Sequence, residues 1–150
     1  MEDLINSLKR LQANTVAMYA QSHGYHWNVE GMMFKELHAF FLEIYEDVFD
    51  SIDTMSEWIR KLGGMAPFGA LAWSSNASIL INDSTNLTPT EMLVELIRTN
   101  DALMENLKEV YNTAEVKYSE HGLSNFIADR IGQHQFWAWQ LKATIKKAVI

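Results

Sequence analysis

Four residues in one stretch of the chain have the types and spacing of metal ligands: His26, His38, Asp53 and Glu57. In the order His-x11-His-x14-Asp-x3-Glu, two imidazoles and two carboxylates make a mixed nitrogen and oxygen set that suits iron or a neighbouring divalent metal. Asp53 and Glu57 are i and i+4, so on a helix they lie one above the other and can hold one cation or two adjacent ones. A facial set of histidine and carboxylate leaves positions on Fe(II) open, which an oxidant needs to reach the metal. The blander reading, a solvated acidic face, is already supplied by Glu36, Glu43, Glu46, Asp47 and Asp50.

Composition narrows the chemistry further. The 150 residues are 48% hydrophobic with only two prolines, which suits one ordered domain over residues 1–150 that buries about two-thirds of its unfolded surface. There is no cysteine, which excludes disulfides, cysteine-ligated iron–sulfur clusters and thiolate zinc sites. The start, MEDLINSLKRLQ, does not resemble a signal peptide and no stretch approaches a membrane-spanning run, so the expected location is the cytoplasm. A net charge of −7 argues against a sequence-independent grip on DNA and favours cations as cargo.

The elements that must position the four residues are helices. A first stripe, Leu4, Leu8, Leu11, Met18 and Tyr19 with Thr15 as an exception, predicts a helix ending near Trp27 to Gly31. A second stripe, Leu37, Phe41, Ile44, Val48, Ile52, Met55, Ile59 and Leu62, steps by four and three until Gly63-Gly64 stops it. Beside it run His38, Leu42, Tyr45, Phe49, Asp53 and Glu57, a second face half apolar and half ligand that suggests a subunit interface with a site in it. Met65 to Asn86, with a short apolar patch around Phe68 to Trp73, reads as a long crossover with one small helix inside it. Thr88-Pro89-Thr90-Glu91 combines a capping box with proline at the first helical position. The third stripe is Leu93, Leu96, Ile97, Leu103, Leu107, Val110 and Ala114. A break at His121-Gly122 then precedes the fourth, Ile127, Ile131, His134, Ala138, Leu141, Ile145 and Val149. The fold class is therefore all-α: a ferritin-like four-helix bundle whose long crossover between the second and third helices carries a short helix.

The motif HWNVEG at 26–31, then Phe34, Leu37-His38, Asp53-Thr54-Met55-Ser56-Glu57 and Leu62-Gly63-Gly64, resembles the signature of the Dps family, the mini-ferritins named for DNA protection in starved cells. Ala138 to Ala143, AWQLKA, is similar to the family's last-helix segment, so the resemblance covers nearly the whole chain. It implies a ferroxidase: a homo-oligomeric shell of twelve subunits, built from two-fold dimers, that oxidises Fe(II) with hydrogen peroxide or dioxygen and stores ferric mineral inside. It also implies that His26 and His38 of one subunit face Asp53 and Glu57 of its partner around Fe2+/Fe3+, with zinc or another divalent metal as a substitute. Trp27 resembles the family's tryptophan beside the site, a possible redox neighbour. Trp27 and Trp139 are read first as packing residues and the methionines, Met55 included, as core filler. His134 is read as a hydrogen-bonded core or interface histidine, and His23 and His121 are left unassigned.

One departure stands out. Many relatives carry an Asp or Glu four residues after the second histidine, where this chain has Leu42, and the helix turns Glu43 roughly 100° away. The second metal position is thus short of a ligand. For the acidic entry pore of the family, Glu120 and Asp129 are the available residues. A DNA-compacting protein and a structural shell with a degenerate metal centre are the alternative functions. Larger ferritins fit less well, because their in-bundle site needs Glu-x-x-His, which occurs nowhere here. Relatives that bind DNA directly commonly use a Lys/Arg-rich terminal tail, whereas Lys146-Lys147 is all this chain offers near its end. Direct DNA binding should therefore be absent or weak. A gel shift that persists at about 200 mM salt without added divalent metal would contradict this expectation.

Overall fold

The computed structural model describes residues 1–146. Among them are five α-helices and no strand: α1 (Glu2–Asn28), α2 (Phe34–Lys61), α3 (Ala70–Asn76), α4 (Pro89–Asn112) and α5 (His121–Ile145). The four long helices form the expected bundle, with α1 packed along α2, α4 along α5, and α1 against α4. The small α3 lies in the crossover and packs on α1.

Each predicted stripe becomes the buried side of its helix. Leu4, Leu8, Leu11 and Met18 of α1, Phe41, Ile44, Val48, Met55 and Ile59 of α2, Leu96, Leu103, Leu107 and Val110 of α4, and Ile127 and Leu141 of α5 share one apolar core. Gly63, at φ 95, ends α2 in a conformation that residues with a Cβ rarely adopt. At the start of α4 the capping box is present, with Thr88 Oγ1 accepting from the Glu91 N–H at 3.1 Å and the Thr88 N–H donating to Glu91 Oε2 at 2.8 Å.

The crossover is held by polar groups that the periodicity did not assign. Asn14, fully buried on α1, accepts from the backbone N–H of Ser78 and Ile79 at 2.9 and 3.1 Å and donates to Asn106 Oδ1 at 2.8 Å. Gln12 donates to the Pro67 carbonyl, and the Tyr25 hydroxyl to that of Asn82. A loop lying on a bundle must satisfy its backbone groups somewhere, and here side chains of α1 supply the partners.

Four expectations need correction. The last helix begins at His121 and contains Gly122. The break precedes it, at a π-helical turn over Thr113–Lys117 and at Ser119, whose φ of 55 is unusual for a residue with a Cβ. Ala114 stays buried inside that turn. Asp47 does not belong to the solvated acidic face. It accepts two hydrogen bonds from Arg130, at 2.8 and 3.0 Å, and one from Trp137 Nε1 at 2.8 Å. Trp27 and Trp139 lie outside the core, 65% and 66% exposed, with Trp27 against His23 and Trp139 beside Phe136. The methionines divide: Met55 is core, but Met32 and Met65 are exposed. Val149 and Lys147 lie outside the described residues.

His134 is the core histidine that its place on the stripe suggested. Its Nδ1 meets Asn100 Oδ1 at 2.8 Å and its Nε2 lies 3.1 Å from Arg130 Nη2. Arg130 can only donate, so Nε2 accepts, Nδ1 donates and the imidazole is neutral. Burial, with the Arg130 charge adding to it, pushes the pKa down to about 3. The unfolded chain, whose histidine titrates near 6.5, therefore takes up this proton first as pH falls. The stability from this group is complete above pH 6.5 and is lost on descending toward 3, by up to roughly tenfold in the folding equilibrium per pH unit. Chemical denaturation from about pH 7 to about pH 4.5 should show that slope, with His134→Gln flattening it; equal slopes would assign it to other groups.

Candidate metal centre

The hairpin between α1 and α2 brings His26 and His38 together. Val29, the residue after α1, is buried and its N–H donates to the Tyr25 carbonyl. Gly31 then turns the chain at φ 114, and the Phe34 N–H donates back to its carbonyl at 3.1 Å. Across this turn the two imidazoles stack with centroids 3.7 Å apart and planes 13° from parallel. Each Nδ1 also lies 2.6 Å from the other residue's backbone carbonyl. A carbonyl only accepts, so both Nδ1 atoms carry their hydrogen, and the nitrogen left for a metal in each ring is Nε2. This tautomer is the one a metal ligand needs, with carbonyls as the outer partners that orient each ring.

Aromatic rings enclose the pair. Phe34 lies against His38 at 4.9 Å, and Tyr45 meets His26 edge-on at 5.3 Å. His23, one turn before His26, stacks on Tyr45 at 3.9 Å and lies 4.1 Å from Trp27. Its Nδ1 is 2.9 Å from the Tyr19 hydroxyl. The pattern gives His23 no role and reads Tyr19 only as part of the apolar stripe, although on α1 His23 lies beside His26 and Tyr19 beside His23.

Asp53 and Glu57 are where i and i+4 spacing puts them, one turn apart on an exposed face of α2. Neither makes a hydrogen bond or ion pair with another described residue. They are not brought to the histidines within one chain. Fourteen residues of unbroken helix lie between His38 and Asp53, which puts the two about 22 Å apart along the axis. Among the described residues no three His, Asp or Glu side chains converge as a metal site. Leu42, half-buried, occupies the turn after His38. Of the expected pore residues, Glu120 immediately precedes α5 and Asp129 is exposed on it. The carboxylate that meets His121, at 3.1 Å, is instead Glu115.

Comparison with known proteins bears on the fold and the family. The ferritin-like domain matches residues 5–149. The structure superposes on Dps from Thermosynechococcus elongatus with a TM-score of 0.93 and 28% identity, covering 98% of this chain and 92% of that one. The chain belongs to the ferritin-like family, in its Dps branch. Dps of Vibrio cholerae O1, described as a member of a broad superfamily of ferritin-like diiron-carboxylate proteins, is similar at a TM-score of 0.91 and 28% identity, over 97% and 90% of the two chains. In sequence, the DNA protection during starvation protein of Helicobacter pylori is 29% identical over 137 residues, 91% of this chain and 94% of that one. Membership in this Dps branch carries the general ferritin-like function of iron binding and storage.

The two classes of acid on α2 should separate by experiment. Asp53→Ala and Glu57→Ala remove exposed carboxylates without partners and should change subunit stability by no more than about 0.5 kcal/mol. Asp47→Ala leaves the buried Arg130 unpaired and should cost about 3–5 kcal/mol. Denaturant midpoints of the three variants decide between these roles.

Proposed function

We propose that the protein oxidises Fe(II) at centres shared by two subunits and deposits the ferric product inside a closed shell, with twelve subunits as the family's assembly. The observation that carries this reading is the division of ligands along α2. An imidazole pair stands near one end and a carboxylate pair without partners toward the other, too far apart to serve one ion in one chain.

A two-fold axis resolves the separation. If α2 packs antiparallel on its copy, the residues nearest the axis are those midway between His38 and Asp53, namely Tyr45 and Glu46. The apolar neighbours for such a contact are half-buried Leu42 and exposed Phe49. Because an isologous contact is reciprocal, His38 meeting Asp53 of the partner subunit requires the converse as well, so each dimer has two centres. Each centre joins two neutral nitrogens to two anionic oxygens. The anionic oxygens offset cation charge and favour Fe(III) over Fe(II).

Hydrogen peroxide or dioxygen then reaches the coordination positions the protein leaves open. In the peroxide case, each of two Fe(II) ions gives up one electron, and the oxygen–oxygen bond breaks with uptake of two protons to leave two waters. Direct compaction of DNA is a weaker reading, since the exposed side of α2 is acidic at Glu36, Glu43, Glu46, Asp50, Asp53 and Glu57.

Complementation tests the shared geometry. Shells of His26→Ala/His38→Ala subunits, and shells of Asp53→Ala/Glu57→Ala subunits, should each lose fast Fe(II) oxidation. In a mixed dimer both defects fall in one centre and the other is intact. With random pairing half the dimers are mixed and half their centres work, so reassembled shells should recover about a quarter of the wild-type rate. Recovery no greater than the sum of the two parents, with mixed dimers verified by mass spectrometry, would place the centre within one subunit.

A further inference from the structure

We propose that His23 is a third imidazole ligand of this centre and completes the cation position that Leu42 leaves short. The inference rests on the shared-centre reading above. It begins from a deficit: one turn beyond His38 on α2, where a second cation would take a carboxylate, the chain has an apolar side chain. The compensating group has to come from a neighbouring element at the same level.

The hairpin supplies that level. His26 and His38 are opposite one another, as their reciprocal 2.6 Å hydrogen bonds require. Because α1 and α2 run antiparallel, one turn forward from His38 on α2 corresponds to one turn back from His26 on α1. Leu42 and His23 occupy those two places. The rings of His23 and His26 are 5.9 Å apart between centroids, close enough to serve neighbouring ions of one cluster.

The surroundings of His23 also differ from those of an ordinary surface histidine. One face stacks on Tyr45, 10° from parallel, and Trp27 lies within 4.1 Å. Nδ1 is engaged with the Tyr19 hydroxyl, which can accept its hydrogen as readily as donate one. In that tautomer the nitrogen with a free lone pair is Nε2, which has no hydrogen-bond partner among the described residues. The ring is thus oriented before any ion arrives, which lowers the entropy lost on binding. Carbonyls hold Nδ1 of His26 and His38, and a phenol holds Nδ1 of His23; all three imidazoles can present Nε2. Imidazole in place of carboxylate also removes one negative charge, so the second cation should bind more weakly than the first.

Anaerobic Co(II) titration of the assembled shell, followed by calorimetry and by the visible absorption of bound cobalt, tests the assignment. The wild type should take up two Co(II) per centre in unequal steps. His23→Phe keeps a flat ring between Tyr45 and Trp27, and should retain the first step while weakening the second by at least about tenfold, as loss of one ligand does. Adding Leu42→Asp to that variant should restore the second step. Anomalous diffraction from wild-type crystals soaked in Co(II) gives a measurement independent of any variant, and should place the second ion about 2.1 Å from His23 Nε2. Two undiminished steps in His23→Phe, or a second ion out of reach of His23, would overturn the proposal, as would a single Co(II) per centre in the wild type. Failure of the wild type to bind any Co(II) at His26 and His38 would overturn the shared centre itself.

Discussion

An α-helix cannot bring two of its own turns together, and that constraint organises this subunit. α2 runs unbroken from Phe34 to Lys61, so groups near its two ends stay a fixed distance apart. The histidines use the near end because the hairpin adds α1 there. The carboxylates stand well along the rod with no partner in their own chain. In the proposed function, chemistry that needs both halves comes from assembly, where a two-fold operation would supply both complements at once.

The remaining architecture buries the inner face of that rod and leaves its outer face exposed. The apolar stripe of α2 is covered by the other long helices. Asp47 interrupts the acidic side of α2 with a half-buried ion pair to Arg130 and a hydrogen bond from Trp137, which link α2 to α5 where an apolar contact would leave their relative rotation less defined. The network continues through the neutral His134 to Asn100 on α4. Three helices are thereby tied by directional bonds inside an otherwise apolar core, and the crossover is tied to α1 in the same manner through Asn14.

Two histidine environments show how location decides chemistry. His134 is enclosed, with one nitrogen facing a guanidinium and the other an amide, so both of its lone-pair and donor roles are spent on structure. His26 and His38 spend only Nδ1, each on the other's carbonyl, and keep Nε2 available. Identical side chains therefore serve as a fold constraint in one place and as metal ligands, in the proposed function, in the other. Tyr45 meets His26 edge-on and Phe34 stacks on His38, contacts that consume neither free nitrogen.

The amino-acid sequence by itself determined the helices, because a 3.6-residue apolar period, a capping box at Thr88 and stop signals at Gly31 and Gly63 are local properties that need no partner. It also marked His26, His38, Asp53 and Glu57, because ligand types at fixed helical spacings are legible before folding. Asp47 and Glu46 are adjacent acids that look alike in the chain, and only packing made one a half-buried ion-pair partner and left the other exposed. Likewise, periodicity could not show that Asn14 holds the crossover or that His23 is clasped by Tyr19, Tyr45 and Trp27. These outcomes depend on which helix lies beside which, at what level and with what rotation. Tertiary structure alone sets those relations, since they arise from contacts between residues far apart in the chain.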